Sequence, residues 1–174
     1  MSVFLSAQSA LRVKALMQLQ RWSGLSLVDA VCLEKDELIQ DGDVFRVVTS
    51  RRKTGTAVNN VIPSDVAKLL LEVKNGNAEY FFWTGTTTHA GSYFDKMYRK
   101  VFKQAKIPTD GKLSHRFCHT FAVELLKAGV DIWKVSRALD HSSVTVTERY
   151  YAQWNKAQQD LLDDDVAGVF GKKR

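Results

Sequence analysis

Apolar residues recur at helical spacing early in the chain. Leu11, Ala15, Leu16, Leu19 and Trp22 fall on one face of a helix predicted over residues 9–22. Gly24 interrupts the pattern. The stretch SLVDAVCL then resumes as a short helix, with Ser26 as its N-cap and Asp29 three residues on. DVFRVVTSRRKTGTAVNNVIP predicts two strands, 43–49 and 57–62, around a basic turn at Ser50–Thr56, where Thr54-Gly55 supplies the turn chemistry. Pro63 starts a third helix, from Ser64 to about Lys74. AEYFFW fits either a strand or a buried helical edge. Residues 91–106 form a basic amphipathic helix with a stripe of Phe94, Met97, Tyr98, Val101 and Phe102. Pro108 and Gly111 mark a break. Helices follow at about 114–128, 131–139 and 143–152, and the chain ends in an acidic triplet, a short apolar piece and a basic tip. The expected fold class is α+β: mainly helical, with one small antiparallel sheet.

Composition narrows the setting. The 174 residues are 45% apolar, which fits a single domain over 1–174 with a real core. No run of eighteen apolar residues is present, and the N-terminal stretch has no signal-peptide pattern. Two cysteines, Cys32 and Cys118, are too few for a disulfide framework, so reduced thiols and a cytoplasmic location are expected. A net charge of +6 and a pI near 9.3 favour a polyanionic partner, nucleic acid above all.

The segment SHRFCHTF carries the densest candidate chemistry. His115, Cys118 and His119 stand three and four residues apart, which a helix brings to one face. Such a face can ligate zinc. However, no fourth ligand lies nearby in sequence and no glutamate separates the histidines. No metal is expected.

Four segments, in order, resemble the catalytic domain of the tyrosine recombinase (phage integrase) family. HRFCHTFAVELLKAG resembles the family's His-x-x-Arg-His box. VSRALDHSSVTVTERYYA resembles its Leu-Gly-His-Ser-Ser segment followed by a tyrosine. SGLSLVDAVCL resembles the segment of the first arginine, and RRKTGTAV the β-turn that carries the family's lysine. The resemblance implies attack of a tyrosine on a DNA phosphodiester, with energy stored in a phosphotyrosine bond. Two arginines clamp the non-bridging oxygens, a lysine protonates the leaving oxygen, and imidazoles donate hydrogen bonds. No cofactor is implied.

Carried over residue by residue, the resemblance assigns Lys53 to the turn lysine and His115 to the first histidine of the box. His119 matches the box's second histidine, for which packing is the expected role. His141 matches the later histidine, and Asp29 an acid that orients its neighbour. The nucleophile is Tyr150 or Tyr151; the Tyr-Ala context favours Tyr151, and on a helix the two point about 100° apart. Both arginine positions depart from the pattern: Ser26 and Cys118 stand there, and Asp140 replaces the usual glycine before His141. Arg116, Arg21, Arg137 and Arg149 have no spacing that supports a rescue. Cleavage is therefore expected to be impaired or lost. The alternative is a catalytically inactive DNA-binding protein or regulator on the same fold.

Double-stranded DNA is the expected partner, contacted by Arg51, Arg52, Lys53, Lys96, Arg99 and Lys100. The family's N-terminal DNA-binding domain is not recognised before Leu11. A monomer is expected when free. On DNA, DVAGVF would link copies into a homo-oligomer, or else dock on its own core.

Overall fold

The computed structural model describes residues 6–83, 90–141 and 143–171, without the side chains of 90 and 152–161. The basic tip at 172–174 lies outside the described residues. The chain forms two compact units, Met1–Phe121 and Ala122–Arg174.

The first unit opens with α1 (Ala7–Ser23), capped by the Ser6 side chain, which accepts from the backbone N–H of Ser9. Gly24 ends the helix in the left-handed region (φ 67°), donating its N–H to the Gln20 carbonyl. A Cβ at Gly24 would lie 2.7 Å from the Phe121 ring, so close approach and positive φ both require glycine. Helix α2 (Leu27–Val31) follows with Ser26 as its N-cap. Three antiparallel strands, β1 (Leu38–Asp41), β2 (Val44–Ser50) and β3 (Ala57–Ile62), pair in the order β1-β2-β3. The register sets Leu38 opposite Val47 and Val47 opposite Asn60.

Strands β2 and β3 match the alternation of their sequence; β1 was not expected. Its residues LIQD are mostly exposed, so no alternation marks them, and its signal is the Asp41-Gly42 turn with Gly42 at φ 60°. The AEYFFW stretch is neither strand nor helix. Tyr80 makes a single bridge to Glu34, and Phe81 and Phe82 are buried without regular structure.

Helix α3 (Ser64–Leu71) buries Val66, Ala67 and Leu70. Helix α4 (Ala90–Gln104) buries Phe94, Met97, Tyr98 and Phe102, most of its predicted stripe, in one core with Leu16, Leu19, Leu33 and Ile62. Inside this core Tyr98 donates its hydroxyl to Gln20 Oε1 at 2.7 Å, and the Gln20 amide donates to the Leu25 carbonyl at 3.2 Å. Every polar atom of that buried pair of side chains is thereby used.

Helix α5 (His115–Lys127) begins in the first unit, and its residues from Ala122 onward belong to the second. The second unit continues with α6 (Ile132–Leu139) and α7 (Val144–Phe170). Its core gathers Ala122, Leu126, Ile132, Val135 and Tyr151. Helix α7 runs well past the expected end near 152. No proline and no glycine before Gly168 interrupts it.

Candidate DNA-cleavage site

The basic turn between β2 and β3 is built around Arg51. Its backbone N–H donates to the Thr56 carbonyl at 2.8 Å, and its carbonyl accepts from Gly55 N–H at 2.7 Å, closing the hairpin. Its side chain turns inward and is only 5% exposed. The guanidinium donates from both Nη atoms to the Gly24 carbonyl, at 3.2 and 3.1 Å, and pairs with Asp29 Oδ2 at 3.4 Å. Asp29, itself 8% exposed, also accepts the Arg52 backbone N–H at 3.0 Å through Oδ1. Arg51 was expected on DNA; in the structure its side chain is buried against these partners instead. Arg52 remains exposed and reaches the Cys32 carbonyl at 3.1 Å. Lys53 stands exposed on the turn.

Ser26 and Cys118, the positions expected to lack a clamp, are both used internally. Ser26 Oγ donates to Asp29 Oδ2 at 2.7 Å and accepts the Asp29 N–H at 3.3 Å. The Cys118 thiol points at the Leu25 carbonyl, 3.4 Å away, and lies 3.8 Å from that of Gly24. Burial pushes the Cys118 thiol above its usual range, and the nearby charge of Arg51 opposes this only in part. It offers neither a cation nor a ready thiolate.

His115 opens a cleft of about 620 Å³ that it shares with Ser26, Ser92, Arg99, Lys112 and Ser114. Burial, then the charge of Lys112, then His119, lower the His115 pKa from the ordinary histidine value. Lys112 was not singled out from the sequence; its position three residues before His115, ahead of α5, is the signal that was there. His119, expected to pack, is exposed instead, because the buried face of α5 runs through Phe121, Ala122 and Leu126. Arg116 is engaged elsewhere: it donates to the Pro108 and Asp110 carbonyls at 2.7 and 3.1 Å and lies over the Phe102 ring.

Among the expected DNA-contacting residues on α4, Lys96, Arg99 and Lys100 are exposed. The Arg99 guanidinium is engaged by Asp95 at 2.9 Å and by the carbonyls of Thr109 and Gly111 at 2.8 and 3.2 Å. Among the described residues, no three His, Cys, Asp or Glu side chains are grouped to hold a metal ion. No helix among them is long and apolar enough to cross a membrane.

In the second unit, His141 follows Asp140, which ends α6 in the left-handed conformation at φ 59°. This is the backbone reason a glycine suits that position. His141 Nδ1 sits 2.7 Å from the hydroxyl of Thr147, a fully buried residue that the sequence did not single out. Trp133, Ser136, Arg137 and Glu148 line a cleft with His141. The two candidate nucleophiles part company on α7: Tyr150 is 60% exposed, whereas Tyr151 is 3% exposed within the core of this unit. Tyr151, the tyrosine preferred from the Tyr-Ala context, is thus the packed one of the pair, and Tyr150 the exposed one.

Comparison with known proteins matches the architecture to a family. The Phage integrase family model matches residues 1–158. Tyrosine recombinase XerC of Leptospira interrogans is 30% identical over 152 residues, covering 83% of this chain and 48% of that protein. The putative integrase of Pseudomonas phage Pf1 is 38% identical over 53 residues, covering 30% of this chain and 16% of that protein. The chain spans about half the length, or less, of these curated relatives. Among solved structures, the XerH site-specific recombinase in its post-cleavage complex with palindromic difH substrate superposes with a TM-score of 0.70. That match has 17% identity and covers 85% of this chain and 44% of that one. The catalytic domain of bacteriophage HP1 integrase superposes at 0.60 with 18% identity, covering 87% of each chain. With a family-model match over most of its length and a tyrosine recombinase relative 30% identical over 83% of it, the chain belongs to the phage integrase family of tyrosine recombinases.

Proposed function

We propose that this chain binds duplex DNA as the catalytic domain of a site-specific recombinase whose strand cleavage is severely impaired. The observation that carries the reading lies at positions 26 and 118. Ser26 and Cys118 direct their polar atoms to Asp29 and Leu25, and the guanidinium of Arg51 is buried on Asp29 and the Gly24 carbonyl. No planar cation is thus offered from these positions to a non-bridging phosphate oxygen. One preorganised donor to a developing anion is worth roughly 10²–10³ in rate, and an arginine in phosphoryl transfer about 10³–10⁵. The two losses do not simply multiply, but either is large.

In this reading Tyr150 is the nucleophile. Its solvent-exposed phenol gives up its proton to water as its oxygen forms a bond to phosphorus, the bond to a DNA hydroxyl oxygen breaks, and Lys53 gives that leaving oxygen its proton. His115 and His141 donate hydrogen bonds to the phosphate. The reverse attack by a DNA hydroxyl restores the phosphodiester and frees Tyr150. Exposure of Tyr150 and burial of Tyr151 support this assignment over the reverse. Arg52, Lys53, Lys96 and Lys100 supply exposed charge for the backbone. Residues 162–170 are all exposed on α7, with Leu162, Val166, Val169 and Phe170 at helical spacing. That favours a link between copies on DNA over docking on the chain's own core.

A nicked suicide substrate tests the reading, scored for a covalent adduct on a denaturing gel. The expected result is salt-sensitive duplex binding with little or no adduct. Ser26→Arg with Cys118→Arg is expected to raise the adduct, and Tyr150→Phe, not Tyr151→Phe, to remove it. A strong adduct from the unaltered chain would overturn the impairment. Absence of duplex binding at low salt would overturn the function as a whole.

A further inference from the structure

We propose that Arg51 is a positioning residue, whose pairing with Asp29 clamps the β2–β3 turn onto the segment Gly24–Asp29 and thereby fixes how Lys53 is presented. The inference rests on the reading of Lys53 as a phosphate-facing residue.

The geometry is unusually one-sided for a surface turn. Six residues, 51–56, link the two strands; within them Arg51 N–H bonds to Thr56, Gly55 N–H to Arg51, and Thr56 N–H to Thr54 Oγ1. An exposed turn is ordered more firmly when groups outside it bind its residues. Here the holding comes from beneath. Asp29 takes the guanidinium of Arg51 on Oδ2 and the backbone N–H of Arg52 on Oδ1, so one carboxylate grips consecutive residues of the turn. Gly24 takes both Nη atoms of the same guanidinium on its carbonyl, and Arg52 reaches back to the Cys32 carbonyl. Every one of these anchors lies before Lys53, and none is made by Lys53 itself. The lysine is therefore carried on a fixed base with its own amine uncommitted to that base.

The planar fork matters here. A guanidinium can address a carbonyl and a carboxylate together, which a lysine ammonium on the same stem cannot match in geometry. A Ser26 hydroxyl on the shared Oδ2 completes the carboxylate's shell. The clamp thus links the turn to α2 through atoms that face away from solvent, where the pairing is least screened by salt.

The test separates the clamp from the role of Lys53. Backbone amide hydrogen exchange on the full chain reads the clamp. Arg51→Lys and the charge-balanced double variant Arg51→Gln with Asp29→Asn are expected to speed exchange at Arg52 and Gly55 by about tenfold or more, leaving α1 and α4 unchanged. The double variant keeps the test valid if single loss of a buried partner unfolds the protein. Unchanged exchange in both would overturn the proposal. A second readout is the salt dependence of duplex binding. Lys53→Ala in the unaltered chain is expected to reduce the slope of log K against log salt by about 1, and to do distinctly less once the clamp is broken. Equal effects in both backgrounds would overturn the claim that Arg51 acts through Lys53. If Lys53→Ala has no effect in the unaltered chain, the reading of Lys53 fails and its positioning with it, whereas the exchange result still decides whether the clamp exists.

Discussion

Ser26 Oγ lies 2.7 Å from Asp29 Oδ2 while accepting the Asp29 backbone N–H at 3.3 Å, so one hydroxyl both caps α2 and orients its carboxylate. A side chain at 26 without that oxygen leaves the first turn of a five-residue helix uncapped. Ser26→Ala and Ser26→Arg should each cost about 1 kcal/mol of stability, and Ser26→Asn much less. Urea denaturation of the purified variants measures this directly. A Ser26→Arg variant as stable as the unaltered chain would show that the cap contributes nothing.

The cysteines should behave as inert thiols. Burial is the first cause that raises both, with Arg52 lowering Cys32 and Arg51 lowering Cys118 in part. Because the thiolate is the reactive form, Ellman's reagent at about pH 8 should modify the native protein at least about tenfold more slowly than the urea-unfolded chain. Fast modification of Cys118→Ala protein would identify Cys32 as reactive and contradict its burial.

His115 is expected to titrate below an ordinary histidine, first because of burial and then because of Lys112 and His119. Lys112→Ala should raise its pKa part of the way back, as seen in a two-dimensional NMR titration of the imidazole signals. The sign for stability follows. The neutral ring is favoured in the fold, so its contribution is complete above about pH 6.5 and is lost as the pH falls through the lowered folded value. Charging the same ring at low pH should also tighten duplex binding, an effect that His115→Asn should diminish.

Asp140 holds a left-handed conformation at the end of α6, with its N–H bonded to the Arg137 carbonyl at 3.1 Å. Asp140→Gly should stabilise the chain by about 0.5–1 kcal/mol, since glycine takes this conformation without a Cβ penalty. Thermal unfolding in parallel with Asp140→Ala, which should destabilise, checks the cause.

Much of this arrangement could be read in the sequence, and the failures have physical causes. The helices through Leu16, Phe94 and Leu126 announce themselves by period, and β2 and β3 by alternation around Thr54-Gly55. Strand β1 gives no such signal because its residues are not half-buried in turn. Arg51, Arg52 and Lys53 are equivalent as letters; only the side of the hairpin on which Asp29 lies makes the first of them an interior residue. On α7 the buried face runs through Thr147 and Tyr151, four residues apart, and the polar threonine hid it from a count of apolar positions. The exposure of Tyr150 then follows from that face.

Gly24 touches no substrate in any reading of the site. Yet its Cα faces the Phe121 ring, its φ is positive, and its carbonyl receives both arms of Arg51. A saturation screen for folding and duplex binding would find position 24 intolerant. Intolerance at a helix end of this kind measures crowding and wiring, so a map of sensitive positions drawn on this chain would encircle the chemistry without marking it.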